Sequence, residues 1–273
     1  MAALSITEAW NETMGFMQRE SRLVLPVAFL LISLPGAMLQ YAMPVPQPGV
    51  QIDLGIWMRD IRVVLWFIPV VAILSLIGTI AINYLAIKPG KSVAEALLVG
   101  ARRFIFLFLA WLILGVAAGI AFLPMFLLLP GQAFGQGQAP GGLFFVLVLI
   151  YFLLCMAAAI RLLLATPVCA AERVGVIGII TRSWALTRGH FWKLLGFAIL
   201  FWIAALVATM AVSAVVGIII ALAVGLPSPG STAAFILLLV TAALQAVVTC
   251  FFATMVARIY AQLAGTGEGD VFA

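Results

Sequence analysis

Charge is what this sequence has least of. Nine acidic residues and a single histidine, His190, are spread over 273 positions, and charged residues make up 8%, against about a quarter in a soluble domain. A soluble fold of this length could not cover its surface with so few polar groups, so the soluble classes are excluded. The shortage also bears on chemistry. Metal-dependent phosphodiester hydrolysis needs clustered carboxylates and histidines to hold the ion and move protons, whereas here the acids lie one or two per segment and His190 sits in a basic turn. No serine, histidine and aspartate set, glycine-rich phosphate loop or dinucleotide fingerprint can be assembled. The expectation is a protein that is not an enzyme and takes no cofactor and no metal. Cysteine is scarce too: Cys155, Cys169 and Cys250 lack paired metal-site spacing and read as reduced, buried small hydrophobes.

What the sequence has in excess is apolar surface, at 66% of residues. Crossing a hydrocarbon core of about 30 Å takes roughly 20 apolar residues. Six runs meet that length, at about 23–43, 63–87, 104–129, 143–166, within 194–226, and 233–257. The fold class is therefore an all-α integral membrane protein, one membrane domain over residues 1–273 with a short polar tail from about 258. Proline and glycine mark the connections, in the Pro44, Pro46, Pro48, Gly49 cluster, the Lys88-Pro89-Gly90-Lys91 turn, and the uncharged loops 130–142 and 226–232. Asp53, Arg59, Asp60 and Arg62 read as a charge-balanced loop.

The net charge of +5 is placed for topology and not for nucleic acid. With a cytoplasmic N-terminus, all but two of the 14 basic residues fall inside, leaving only Arg59 and Arg62 outside, so the positive-inside rule puts both termini in the cytoplasm. No cleavable signal peptide is expected, because the N-terminal segment lacks a basic start leading into a short apolar core.

Three amphipathic stretches precede pairs of spans. Residues 5–19 place Ile6, Ala9, Trp10, Thr13 and Met17 on one face, and Ser5 with Glu8 has capping-box spacing. Ser92 and Glu95 repeat that box before Val93, Ala96, Leu97, Ala101 and Phe104. In the third stretch Val176, Ile179, Ile180, Ser183, Trp184 and Thr187 oppose Thr181, Arg182, Ala185 and Arg188, the pattern of a helix lying in a membrane surface. The spans thus read as three hairpins, in pseudo-repeats of about 5–87, 92–166 and 175–257, each introduced by an interfacial helix. Gly115 and Gly119 have the spacing that lets two membrane helices approach closely.

Arg161–Leu164, Pro167, Glu172 and the run Arg182-Ser183-Trp184-x-Leu186-Thr187-x-Gly189-x-Phe191-Trp192 resemble a motif in the membrane domain of glycerophosphoryl diester phosphodiesterases. The same residues are similar to a group of bacterial inner-membrane proteins that carry such a domain alone. In the phosphodiesterases hydrolysis belongs to a separate soluble barrel, so the resemblance implies a bacterial inner-membrane scaffold and carries no activity over.

Several residues are candidates for contact with membrane phospholipid. Arg161 lies inside the fourth apolar run, where an ionisable group is costly. It can meet a lipid phosphate, snorkel to the headgroups, or pair with Glu95 or Glu172. Arg173, Arg182, Arg188 and Lys193 form a basic cluster, each charge worth on the order of 1 kcal/mol near an anionic surface. Trp10, Trp184 and Trp192 are candidate interface anchors. Asn83 and Gln245 are read as interhelical hydrogen bonds. Two functions fit: a non-enzymatic scaffold engaging lipids or a partner membrane protein in envelope homeostasis or assembly of a membrane complex, or a transporter of a lipid-like or small amphipathic molecule. Transport calls for polar groups at mid-membrane and discontinuous helices. Pro69 and Pro124 could supply breaks, but the buried acids are missing.

Overall fold

Long apolar runs with few helix breakers dictate long helices, and the computed structural model, which describes residues 4–42, 54–128, 142–226 and 231–265, consists of them. Six are long and apolar enough to cross a membrane, and no strand occurs among the described residues. Helix α1 (Ile6–Ala28) runs through a π turn (Phe29–Ser33) into α2 (Leu34–Ala42). Pro26 lies within α1 and Pro35 within α2. Each removes a backbone donor, and the π turn between them accommodates the altered ladder. Then come α3 (Leu54–Ile87), α4 (Val93–Leu128), α5 (Gly142–Arg161), the short α6 (Ala165–Ala171), α7 (Val176–Thr187), α8 (Phe191–Val224) and α9 (Thr232–Ala264). The proline cluster, Asp53 and most of the two uncharged loops lie outside the described residues.

Helix starts follow the sequence signals in half of each expected box. Ser5 Oγ accepts from the Glu8 N–H and Ser92 Oγ from the Glu95 N–H. In place of the return half other partners are found, one distant in the chain and two nearby. The Ser5 N–H donates to Gln262 Oε1, and the Glu95 carboxylate accepts from Tyr84 and pairs with Lys91. Between α3 and α4 the chain reverses at Gly90, with φ +84°, a conformation that favours glycine.

Two of the three amphipathic stretches are not separate helices. Residues 6–19 and 93–104 are the first turns of α1 and α4, continuous with the spans that follow, because neither contains a residue that halts the backbone. Only α7 stands alone, bounded by Gly175 and by Gly189 at φ +89°. Similarly, residues 54–62 are helical and not a loop, and α3 and α4 run unbroken through Pro69 and Pro124.

Helices of 34 and 36 residues, as in α3 and α4, exceed the roughly 20 needed to span, and the excess builds the core. Buried side chains gather at one end of the bundle, from the start of α1 (Ala9, Phe16, Met17), the end of α3 (Ile80–Ala86), α6 (Val168, Cys169), α7 (Ile179), the start of α8 (Leu194, Phe197) and the end of α9 (Ala253–Tyr260). The same end, the basic end, carries most of the basic residues. Helix α9 is the hub, packed against α1, α8, α3, α2, α6 and α7. Toward the other end the helices expose their apolar sides: α5 buries only Ile160, and most of α8 beyond Ala198 is open.

Glycine makes the closest approach in the core, at different positions from the pair singled out by spacing. A Cβ on Gly100 would lie 2.6 Å from the Ile77 carbonyl oxygen, and one on Gly78 would meet Ile32 at 2.9 Å. At Gly115 and Gly119 nothing lies within 4 Å of that position, so no described residue packs there.

Candidate functional site at the basic end

Between α5 and α7 the chain has to end one helix and place another, and the motif residues do this work. The Arg161 carbonyl, at the C-terminus of α5, accepts hydrogen bonds from Ser183 Oγ at 2.9 Å and Thr187 Oγ1 at 3.3 Å. Ser183, Thr187 and Ile179 are fully buried, whereas Thr181, Arg182, Ala185 and Arg188 are exposed. The two faces of α7 are therefore those that periodicity marks, but its apolar face covers protein, packing on α4, α5 and α6. Trp184 departs from that face and is 49% exposed.

The Arg161 side chain pairs with neither Glu95 nor Glu172. Its guanidinium lies 5.5 Å from the Trp184 ring centre and 5.4 Å from that of Phe191, a cation–π arrangement that lodges the charge between aromatic faces. Its Nη1 is buried without a hydrogen-bond partner.

Glu172 anchors a second junction. Its Oε1 accepts from Tyr260 Oη at 2.8 Å and from Arg182 Nε at 3.1 Å, tying α9 and α7 to the segment after α6. Arg103 of α4 closes the end of α6 from another side, its Nη1 donating to the carbonyls of Cys169, Ala170 and Glu172 at 2.8, 3.0 and 3.1 Å. A cation at a helix C-terminus satisfies free carbonyls and opposes the helix dipole. Neither the Arg103 contacts nor Tyr260 was marked by the sequence pattern, since both bridge segments far apart in the chain.

Two concavities flank these junctions. The larger, about 850 Å³, is an apolar groove between the start of α1, α8 and α9. Trp10, Trp192 and Lys193 stand at its basic end, and Gly196, Ala204, Ala205 and Ala208 form its floor along α8, with Phe251 and Met255 opposite. From Lys193 to Ala208 it follows the helix for roughly 22 Å at 1.5 Å per residue. Trp10 stacks on Phe251 at 6.2 Å between ring centres, and Trp192 is 79% exposed beside Phe191. The smaller, about 540 Å³, lies between α4 and the α6–α7 connection and is lined by Val99, Arg102, Arg103, Phe106, Cys169 and the segment 172–175.

The candidate residues are thus divided. Lys193, Trp10 and Trp192 meet at the groove, Arg173 lines the smaller pocket, Arg161, Trp184 and Arg182 belong to the junctions, and Arg188 is exposed beside the α7–α8 turn. The two polar residues expected to bridge helices do not. Asn83 Nδ2 donates to the Thr79 carbonyl of its own helix, and Gln245 is exposed. All three cysteines are free, Cys169 and Cys250 buried and Cys155 partly so. Among the described residues no three histidine, cysteine, aspartate or glutamate side chains group as metal ligands.

Six long apolar helices, joined at a single packed, basic end and apolar on their flanks, define a multi-pass α-helical membrane protein. The chain belongs to the family described as a domain of unknown function (DUF7847), whose profile matches residues 4–263. No curated protein and no solved structure matches it.

Proposed function

We propose that this protein is a non-enzymatic scaffold of a bacterial inner membrane, with both termini and the basic end in the cytoplasm, that holds anionic phospholipid in the groove between α1, α8 and α9. The observation that carries the reading is the make-up of that groove: apolar along its length, with one ammonium and two tryptophans at its basic end. An acyl chain fits the apolar floor, and its roughly 22 Å exceeds the ~15 Å depth of one leaflet. Lys193 complements the lipid phosphate, and Trp10 and Trp192 sit where amphipathic rings favour the headgroup level.

The division of labour among charged groups supports a scaffold. Arg103, Arg161, Arg182 and Glu172 hold helix ends together, and these junctions include Ser183, Thr187 and Phe191 from the stretch that resembles the phosphodiesterase membrane domain. That likeness accordingly supports a shared membrane architecture in which the motif is a fastening and not a reactive centre. A surface so apolar on α5 and α8 also suits a partner membrane protein. Transport of an amphiphile is the second reading, favoured by the groove being open and not an enclosed cavity.

Native mass spectrometry of the full chain in mild detergent with added phosphatidylglycerol tests the groove. Ala208→Trp fills its floor and Lys193→Gln removes its cation; each is expected to reduce retained lipid severalfold without altering the helical content. Retention equal to the unmodified chain in both variants refutes the site. Flux of a fluorescent phospholipid across proteoliposomes, abolished by Ala208→Trp, would favour the transport reading.

A further inference from the structure

We infer that the pocket between α4 and the α6–α7 connection is a separate site for a phosphomonoester group. It shares no residue with the groove along α8, and its wall is charged where the groove is apolar. Three guanidinium-bearing residues line it, Arg102, Arg103 and Arg173. Arg102 and Arg173 are exposed and make no ion pair or hydrogen bond with any described residue. Arg103 commits only Nη1 to the α6 carbonyls. One acid, Glu172, lines the pocket, and its Oε1 is already engaged by Tyr260 and Arg182.

Like charges left facing one cavity without partners repel, and a bound anion relieves that repulsion. Two excess positive charges on the lining match a dianionic phosphate, and planar guanidinium forks suit its oxygens in bidentate fashion. Gly175, the N-cap of α7, lies on the same wall, and no side chain caps that helix. Its first N–H groups and dipole favour an anion at this position. The volume of about 540 Å³ falls within the range of roughly 300–1,000 Å³ usual for small-ligand sites. Val99, Phe106 and Val174 complete the lining with apolar surface, against which the non-phosphate part of the ligand would lie. The phosphate belongs either to a lipid with a phosphomonoester headgroup or to a water-soluble phosphorylated molecule.

The test uses the full chain in neutral detergent, with phosphatidic acid and phosphatidylcholine titrated in native mass spectrometry. Phosphatidic acid should bind more tightly than phosphatidylcholine, and the double variant Arg102→Gln, Arg173→Gln should weaken it by about tenfold, since each charge contributes measurably to phosphate contact. Arg103 is left intact because it holds the end of α6. Phosphatidylglycerol retention in the groove should stay unchanged in the double variant, which separates failure of this site from failure of the groove. Displacement by inorganic pyrophosphate identifies a pocket that reads phosphate alone, including soluble ligands; resistance to it identifies the lipid as the source. Equal affinity of the unmodified chain for the two lipids, or a double variant that binds phosphatidic acid as the unmodified chain does, overturns the inference.

Discussion

Replacing Gly100 by alanine adds one methyl group at the closest approach any described glycine makes. The new Cβ would stand 2.6 Å from the Ile77 carbonyl oxygen and 3.2 Å from Ile77 Cγ2, where real contacts essentially never fall below 3.0 Å. The first of these neighbours is backbone, so relief requires α3 and α4 to part by about 0.4 Å or more, not a rotamer change. Overpacking of this kind costs about 1–3 kcal/mol. Alanine recovers part of it, because glycine inside a helix is disfavoured by roughly 0.5–1 kcal/mol. The net expectation is a loss of about 1–2 kcal/mol. Gly115→Ala and Gly119→Ala provide the control: with nothing within 4 Å of either Cβ, only the propensity gain remains, and both variants should be neutral or slightly more stable. Reversible unfolding by sodium dodecyl sulfate in mixed micelles, followed by circular dichroism, measures all three on one scale. A Gly100→Ala protein as stable as the original, or a larger loss at Gly115 or Gly119 than at Gly100, would refute the packing argument.

The junction between α5 and α7 is open to a similar test. Ser183→Ala with Thr187→Val removes both donors to the Arg161 carbonyl and leaves a half-buried acceptor short of partners, for an expected loss of about 1–2 kcal/mol in the same assay; an unchanged midpoint would show that these hydroxyls do not hold the helix end. Orientation is read with Arg188→Cys, an exposed position beside a turn, in a background whose own thiols are buried or partly so: a membrane-impermeant maleimide should label it in inverted vesicles and not in spheroplasts, and the reverse pattern would place the basic end outside.

How far the sequence could be read depended on what kind of information each feature carries. Six spans were legible because length and hydropathy are local properties, and so were the N-caps, where Ser5 and Ser92 each reach a backbone N–H three residues on. The face of α7 was also legible, yet its environment was not. A period of 3.6 records which side is apolar without saying whether lipid or protein will cover it, and the Ile179, Ser183, Thr187 side turned out to seal the end of α5. Continuity of α1 and α4 escaped notice for a related reason. A change from amphipathic to wholly apolar composition marks a change of surroundings, whereas a helix stops only where the backbone is interrupted, and residues 19–23 contain nothing that does so. The Gly115–Gly119 spacing misled because small residues permit close approach without requiring it, while the Gly100 contact depends on α3 lying opposite. Arg161 found aromatic rings in place of an acid, since both expected acids had nearer partners in Tyr84, Lys91, Tyr260 and Arg182. The pocket formed by Arg102, Arg103 and Arg173 joins segments about seventy positions apart, a separation that no local pattern spans.

Helix α9 follows the other five spans in the sequence and yet packs on α1, α2, α3, α6, α7 and α8. Insertion into a bilayer proceeds from the N-terminus, so α1, α3 and α8 are in place before the neighbour they share is made, although α3 and α4 pack on each other without it. The bond from the Ser5 N–H to Gln262, 257 residues away, then fastens the first turn of the bundle to the last. A chain that stops before residue 232 therefore keeps the α3–α4 pair and its contacts with α6 and α7 but lacks the helix on which α1, α2 and α8 close.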